Sequence, residues 1–359
     1  MIEMTNVLDK IKPAVKALRA YTLSPDRASI KINQNENPWD APERIKAETL
    51  RRMSARHWSR YPDFVPASLH ERLAEFSGWS AAGILAGNGS NELIQALLVV
   101  SVEAGRRVLI CEPTFALYRQ VATVLGGEIA SIALTNDLQY DIARLEQEIS
   151  EQQPDVTIIC SPNNPTGCRL SEDDLDRLLK IANGLLVIDE AYHEFADRSA
   201  VPLLKGHDNL VVLRTFSKAM ALAALRVGYL LAAPCLTTEI AKALLPYNLN
   251  AFSQTAAEVA VEMYETELRP LVARIRDERD RLHEGLRTIK GLTPVQSQAN
   301  FMVVRSTLNP KHVFGELLKR DILIRDVSSY PMLSDYFRVS VGTPEENDRL
   351  LKALVEIFE

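Results

Sequence analysis

Lys218 stands in the stretch "RTFSKAMALAALRVGYLL", directly after the apolar run "NLVVL", with hydroxyls at Thr215 and Ser217 and with Arg226 eight residues on. Lysine is rarely buried unless it is paired or engaged in chemistry. An amine in a partly dry site near arginines loses proton affinity, so a fraction is neutral and can form a Schiff base with an aldehyde. Arg226 can grip a phosphate through two parallel hydrogen bonds, which a second lysine could not. Other apolar runs end in residues that could share this work. "GILAG" is followed by "NGSNE", where Ser90 and Asn91 open a helix and offer free N–H groups to an anion. "RVLIC" leads into "EPTFALY", where Phe115 could present a flat ring. "VTIIC" leads into the turn "SPNNPTG", which contains Asn164. "LLVI" leads into "DEAY", where Asp189 places a carboxylate at the end of an apolar run and Tyr192 follows three residues later. Each of these also has a plain structural account: a capped helix, a core aromatic, a turn, a salt bridge.

The residues can meet only if the runs that precede them form one sheet. From about Ser80 to Ala233, seven short apolar runs alternate with amphipathic stretches such as "NELIQALLVVSV", "DIARLEQEISEQ" and "SEDDLDRLLKIANG". That alternation predicts an α/β fold, a mainly parallel seven-stranded sheet covered by helices on both faces. Ser171, three residues ahead of Asp174, reads as a helix cap. In such a sheet ligands bind beyond the carboxyl ends of the strands, which is where the residues above fall. After Tyr247 a long charged helical stretch over 253–288 carries Pro270, which should kink it. The strand-like pieces "ANFMVVR", "ILIRD" and "YFRVSVG" follow, with helices between and after them. The expected organisation is an N-terminal arm (1–36), a large domain (37–247) and a smaller α+β C-terminal domain (248–359).

A net charge of −6 over 359 residues argues against nucleic acid or an anionic membrane surface as a general partner. No apolar run approaches the roughly 18 residues of a membrane helix, and the N-terminus lacks the pattern of a signal peptide. Cys111, Cys160, Cys168 and Cys235 form no C-x-x-C pair and no ligand spacing with the histidines, so no metal site is expected and the thiols read as reduced in a cytoplasmic protein. "GNGSNE" lacks the third glycine of a dinucleotide-binding fingerprint.

One ligand would link an amine, a carboxylate, a ring platform and an anion cup: pyridoxal 5'-phosphate. The chain resembles the fold-type I aminotransferases of class II, and within them the histidinol-phosphate aminotransferases. The likeness runs essentially the whole chain and is carried by "KINQNENPWDAP", "RYPD", "GNGSNELI", "EPTFALYR", "SPNNPTG", "VIDEAYHEF", "RTFSKAMALAALRVGY" and "FRVSVGTPEENDRLL". The resemblance implies a transaminase that exchanges an amino group between histidinol phosphate and 2-oxoglutarate, giving glutamate, in histidine biosynthesis. It implies that Lys218 holds the cofactor and moves the proton. Asp189 would face the ring nitrogen, Tyr192 and Asn164 the phenolic oxygen, and Phe115 the ring. Ser90, Asn91, Ser217 and Arg226 would hold the cofactor phosphate. Tyr61 would reach it from the second subunit of a homodimer with shared sites. Tyr21, Arg325 and Arg338 are implied at the substrate phosphate, with Arg338 also at the glutamate carboxylate and Glu36 near the imidazole.

The chain departs from the family pattern at Ala221 and Ala224, where glycines are usual, and at Trp39 and Asp40, where a glycine commonly follows "NENP". His193 and His57 read as bystanders to the chemistry. Rival readings are an aromatic amino acid aminotransferase, a threonine-phosphate decarboxylase and a cofactor-sensing regulatory module.

Overall fold

Seven apolar runs pair into one sheet in the computed structural model, which describes residues 7–18, 20, 25–196 and 198–359. A two-residue strand, β1 (Ile30–Lys31), comes first. Then follow β2 (Ile84–Gly87), β3 (Arg107–Glu112), β4 (Glu128–Ala133), β5 (Val156–Cys160), β6 (Leu185–Asp189), β7 (Leu210–Thr215) and β8 (Gly228–Ala232). The order across the large sheet is β2-β8-β7-β6-β5-β3-β4. β8 runs antiparallel to β2 and β7, and the other pairs are parallel.

The reason is visible residue by residue. Strands covered on both faces need apolar side chains at every position, and all five residues of β5 are buried. Leu109, Ile159, Ile188 and Val212 point into one core, while Ile110, Ile158, Val187 and Val211 point into the other. Each such side chain contributes roughly 1.5–3 kcal/mol on burial. Helices Ser90–Ser101, Leu117–Leu125, Ile142–Gln152 and Glu172–Ile181 lie between consecutive strands. Their starts are set by caps: Ser171 Oγ accepts the Asp174 N–H at 3.0 Å, as the spacing predicts, and Asp141 does the same for Arg144 at 3.0 Å.

A second sheet is built from β9 (Leu292–Pro294), β10 (Phe301–Ser306), β12 (Arg325–Asp326) and β13 (Tyr336–Ser340), in the order β12-β13-β10-β9, all antiparallel. Period-two alternation splits β13. Phe337 and Val339 enter the small core, while Arg338 points the other way, toward the large sheet's carboxyl edge. β11 (Ile322–Leu323) pairs in parallel with β1, so Ile30 and Ile32 pack into this same small core.

The stretch read as one kinked helix is two. Helix Ala251–Glu262 packs on the large core, a wider turn spans Tyr264–Leu268, and a second helix runs Arg269–Arg287. Pro270 sits in the first turn of that second helix, where a missing N–H costs nothing. Proline starts a helix here instead of bending one. Among the described residues no helix is long and apolar enough to cross a membrane.

Candidate active site

A cavity of about 260 Å³ opens at the carboxyl edge of the large sheet, between it and the small sheet. Nearly every strand that ends there contributes to it. Ser90 and Asn91 follow β2, Phe115 follows β3, Asn164 follows β5, Asp189 closes β6, and Ser217 and Lys218 follow β7. Because β8 is antiparallel, its start comes to the same edge and brings Arg226. Tyr192 lines the cavity as well, and the small sheet supplies Arg325 and Arg338.

Lys218 Nζ is part-buried and donates to the backbone oxygen of Gln34 at 2.8 Å. Burial, followed by the positive charge of Arg338 and Arg226, pushes the amine down to about 7, with Glu36 acting in the opposite direction. Near neutrality a large fraction is therefore unprotonated and nucleophilic.

The first anion-attracting cluster is on the large sheet. Arg226 Nη1 donates to Ser217 Oγ at 3.1 Å and to Ala223 O at 3.0 Å, so the guanidinium is anchored on one side. Gly89 has φ +78°, and a side-chain carbon there would lie 2.5 Å from Arg226 Nη2. At Gly228 an added carbon would lie 2.3 Å from Ser90 N. Both glycines keep backbone and guanidinium close at the start of the helix Ser90–Ser101, where N–H groups are unpaired.

The second cluster comes from register. β12 and β13 place Arg325 directly opposite Arg338. Like charges at opposed positions destabilise a strand pair unless an anion lies between or beside them. Arg338 is further fixed by donating from Nη2 to Asn33 O at 2.8 Å and from Nη1 to Asn164 Oδ1 at 2.6 Å. With its oxygen so engaged, Asn164 has its amide nitrogen left to donate into the cavity. Its neighbour Asn163 is fully buried and is used up on Pro113 O, Thr114 and Thr166. Tyr192 Oη accepts from Asn35 Nδ2 at 3.1 Å, which leaves its own proton to donate.

Asp189 is 3% exposed. Its Oδ1 accepts the Ala191 N–H at 3.0 Å and its Oδ2 accepts from Tyr118 Oη at 2.6 Å. Burial raises its pKa, opposed first by the Tyr118 hydrogen bond and then by the Ala191 N–H. A buried carboxylate with two neutral donors and, among the described residues, no cation bonded to it is a place for a protonated nitrogen.

Two expected residues, Tyr61 and Glu36, are not in this cavity. Tyr61 is 80% exposed and stacks on Tyr247, with ring centroids 4.5 Å apart. Glu36 is paired with Lys31 and lines a second cavity. Tyr21 falls outside the described residues. His193 is held by Glu190 O at 3.0 Å, and His57 lines a surface hollow with Tyr61; neither reaches the cavity. Sequence reasoning missed Tyr118, Asn33–Asn35 and Tyr330, all of which line it. Tyr118 had a usable signal, since it lies in the first turn of the helix that follows the β3 end and Phe115.

Fold and site define a transaminase. The family described as "Aminotransferase class I and II" matches residues 27–354, and the chain belongs to it. More particularly, it is 36% identical to the histidinol-phosphate aminotransferase of Chlorobium phaeovibrioides, over 98% of this chain and 98% of that one. It is 40% identical to histidinol-phosphate aminotransferase 1 of Carboxydothermus hydrogenoformans, over 97% and 98%. The histidinol-phosphate aminotransferase of Sinorhizobium meliloti, solved in complex with pyridoxal-5'-phosphate, shares the fold with a TM-score of 0.87, covering 97% of each chain at 24% identity.

Proposed function

We propose that this chain moves an amino group between L-histidinol phosphate and 2-oxoglutarate, giving imidazole-acetol phosphate and glutamate, with pyridoxal 5'-phosphate as cofactor. The observation that carries the reading is the pair Arg325 and Arg338, held opposite each other beside Lys218. Both amino donors, one with a phosphate and one with a second carboxylate, present an anion to such a pair. Likeness over the full chain to proteins that bear the substrate's name supports it.

The residues present fit the cofactor. Asp189 is a buried carboxylate suited to a ring N–H, and the tight approach at Gly89 and Gly228 leaves an anion cup with no side chain in it. When bound, pyridoxal phosphate supplies an aldehyde carbon for the amine and a ring that draws electrons from the substrate carbon. Lys218 Nζ would hold the cofactor and move the proton at the substrate carbon. Phe115 would lie against the ring, and Tyr192 Oη and the Asn164 amide would donate to the phenolic oxygen. Ser90, Asn91, Ser217 and Arg226 would hold the phosphate. Arg325 and Arg338 bind the substrate anion, with Tyr21 assigned to the same phosphate. Tyr61 serves the site of a second copy, so the working unit is a homodimer in the cytoplasm. The order is ping-pong, since the amino group would stay with the cofactor between one substrate and the next.

The test is an absorption titration of the purified protein. Histidinol phosphate should bleach the yellow form, and 2-oxoglutarate should restore it. Phosphothreonine and phenylalanine run beside it address the rivals. Carbon dioxide release without a keto acid, or turnover with phenylalanine alone, would overturn the proposal.

A further inference from the structure

We infer that Tyr118 is a positioning residue for the cofactor: its hydroxyl fixes the Asp189 carboxylate in the orientation that faces the ring nitrogen. The inference rests on the cofactor placement proposed above.

Tyr118 is completely buried within the core on one face of the large sheet. A phenylalanine would fill the same volume there. A buried phenol needs a partner, and this one donates to Asp189 Oδ2 at 2.6 Å, a short bond to a carboxylate. The other oxygen, Oδ1, takes the Ala191 N–H at 3.0 Å. Two donors from two different elements thus pin both oxygens, and the carboxylate cannot rotate without breaking one of them. What remains of its acceptor capacity faces the cavity that Asp189 lines.

The same ring also reaches the platform. Phe115 and Tyr118 meet edge to face, with centroids 5.6 Å apart and planes at 87°. One turn of chain therefore sets both the face against which the ring lies and the acceptor for its nitrogen. Burial and the neighbouring carboxylate push the phenol's pKa well up, so the proton stays on Tyr118 and the donor is permanent. Without it, Asp189 would keep one fixed hydrogen bond and gain a desolvation cost that nothing offsets.

The test is a double-mutant cycle on cofactor affinity. The dissociation constant of pyridoxal phosphate is measured by quenching of protein fluorescence in wild type, Tyr118→Phe, Asp189→Asn and the double variant. Tyr118→Phe should weaken binding about 10- to 100-fold, the range for a hydrogen bond to a charged group, and shift the visible absorption maximum. In the Asp189→Asn background the same change should cost less than about twofold. A full loss from Tyr118→Phe in both backgrounds means a packing role only and overturns the inference. So does no loss in either. If Asp189→Asn itself leaves affinity and spectrum unchanged, the cofactor placement fails, which is a separate outcome. Should Tyr118→Phe not fold, Tyr118→Met, also without a donor, is run through the same cycle with the same criteria.

Discussion

Arg338 on the small sheet donates to the amide oxygen of Asn164 on the large sheet at 2.6 Å, and that bond decides which way the amide faces. The residue proposed for the substrate anion therefore also orients one proposed for the cofactor. Arg338→Ala should lower kcat/KM for glutamate about 100-fold, from two charged hydrogen bonds lost. It should also disturb the absorbance of the bound cofactor before any substrate is added. Arg338→Lys keeps the charge but not the fork, and should recover only part of the loss. Unchanged steady-state KM for glutamate in both variants would count against the assignment.

The lowered proton affinity of Lys218 has a pH signature. Its amine is pushed down to about 7, chiefly by burial and then by Arg338. Cofactor-free protein should capture pyridoxal phosphate faster as pH rises, levelling off above about 7, by stopped-flow absorbance. The sign for stability follows from the same shift. The folded chain binds fewer protons than the unfolded one between about 7 and the ordinary lysine value of 10.5, so cofactor-free protein gains stability from this group as pH climbs through that window. A capture rate that is flat between pH 6 and 8, values chosen to bracket that pKa as roughly one unit each side, would contradict it.

Gly228 packs its backbone against Ser90 N and Gly89 C, at 2.3 Å and 2.6 Å from where a side-chain carbon would sit. Backbone cannot swing aside as a long side chain can. Gly228→Ala should weaken cofactor binding at least about tenfold by spreading the anion cup. Equilibrium dialysis of the cofactor-free variant measures this directly. Affinity equal to wild type would show that the cup lies elsewhere.

Ala221 has φ +55°, the left-handed conformation that costs a side-chain-bearing residue about 1–2 kcal/mol. A glycine, which the resemblance leads one to expect here, would carry no such cost. Ala221→Gly should stabilise the protein by about 1 kcal/mol after the entropy of the unfolded chain is counted, raising Tm by about 1–3 °C. Ala224, exposed and not in that conformation, should show no such gain. Calorimetry of the two variants separates the cases.

Tyr61 and Tyr247 form an exposed stack, with Phe64 edge-on to Tyr247 at 5.6 Å. Solvent-facing aromatics so grouped suit a second copy of the chain. Lys218→Ala and Tyr61→Ala chains, each impaired alone, should regain activity when mixed and allowed to exchange, because each hybrid dimer holds an intact site beside a doubly impaired one. Failure of the mixture to exceed the sum of its parts would remove Tyr61 from the shared site.

Much of the cavity was legible because of how parallel sheets work. Ser90, Asn91, Phe115, Asn164, Asp189, Ser217 and Lys218 each follow an apolar run, and a parallel sheet delivers all such ends to one edge. Side-chain orientation was not legible in the same way. Asn163 and Asn164 are identical neighbours, yet one is spent on the turn and the other is aimed by Arg338, which lies 174 residues further along.

Local pattern, then, settles what this chain can decide within a dozen residues: which runs are strands, where helices begin, and which reactive groups sit at strand ends. Apolar periodicity and capping act over that range. The meeting of Tyr118 with Asp189, of Gln34 with Lys218, of Asn35 with Tyr192 and of Arg338 with Asn164 was decided only by tertiary packing. Those contacts span tens to hundreds of residues, and no local preference of the chain carries information across such a distance.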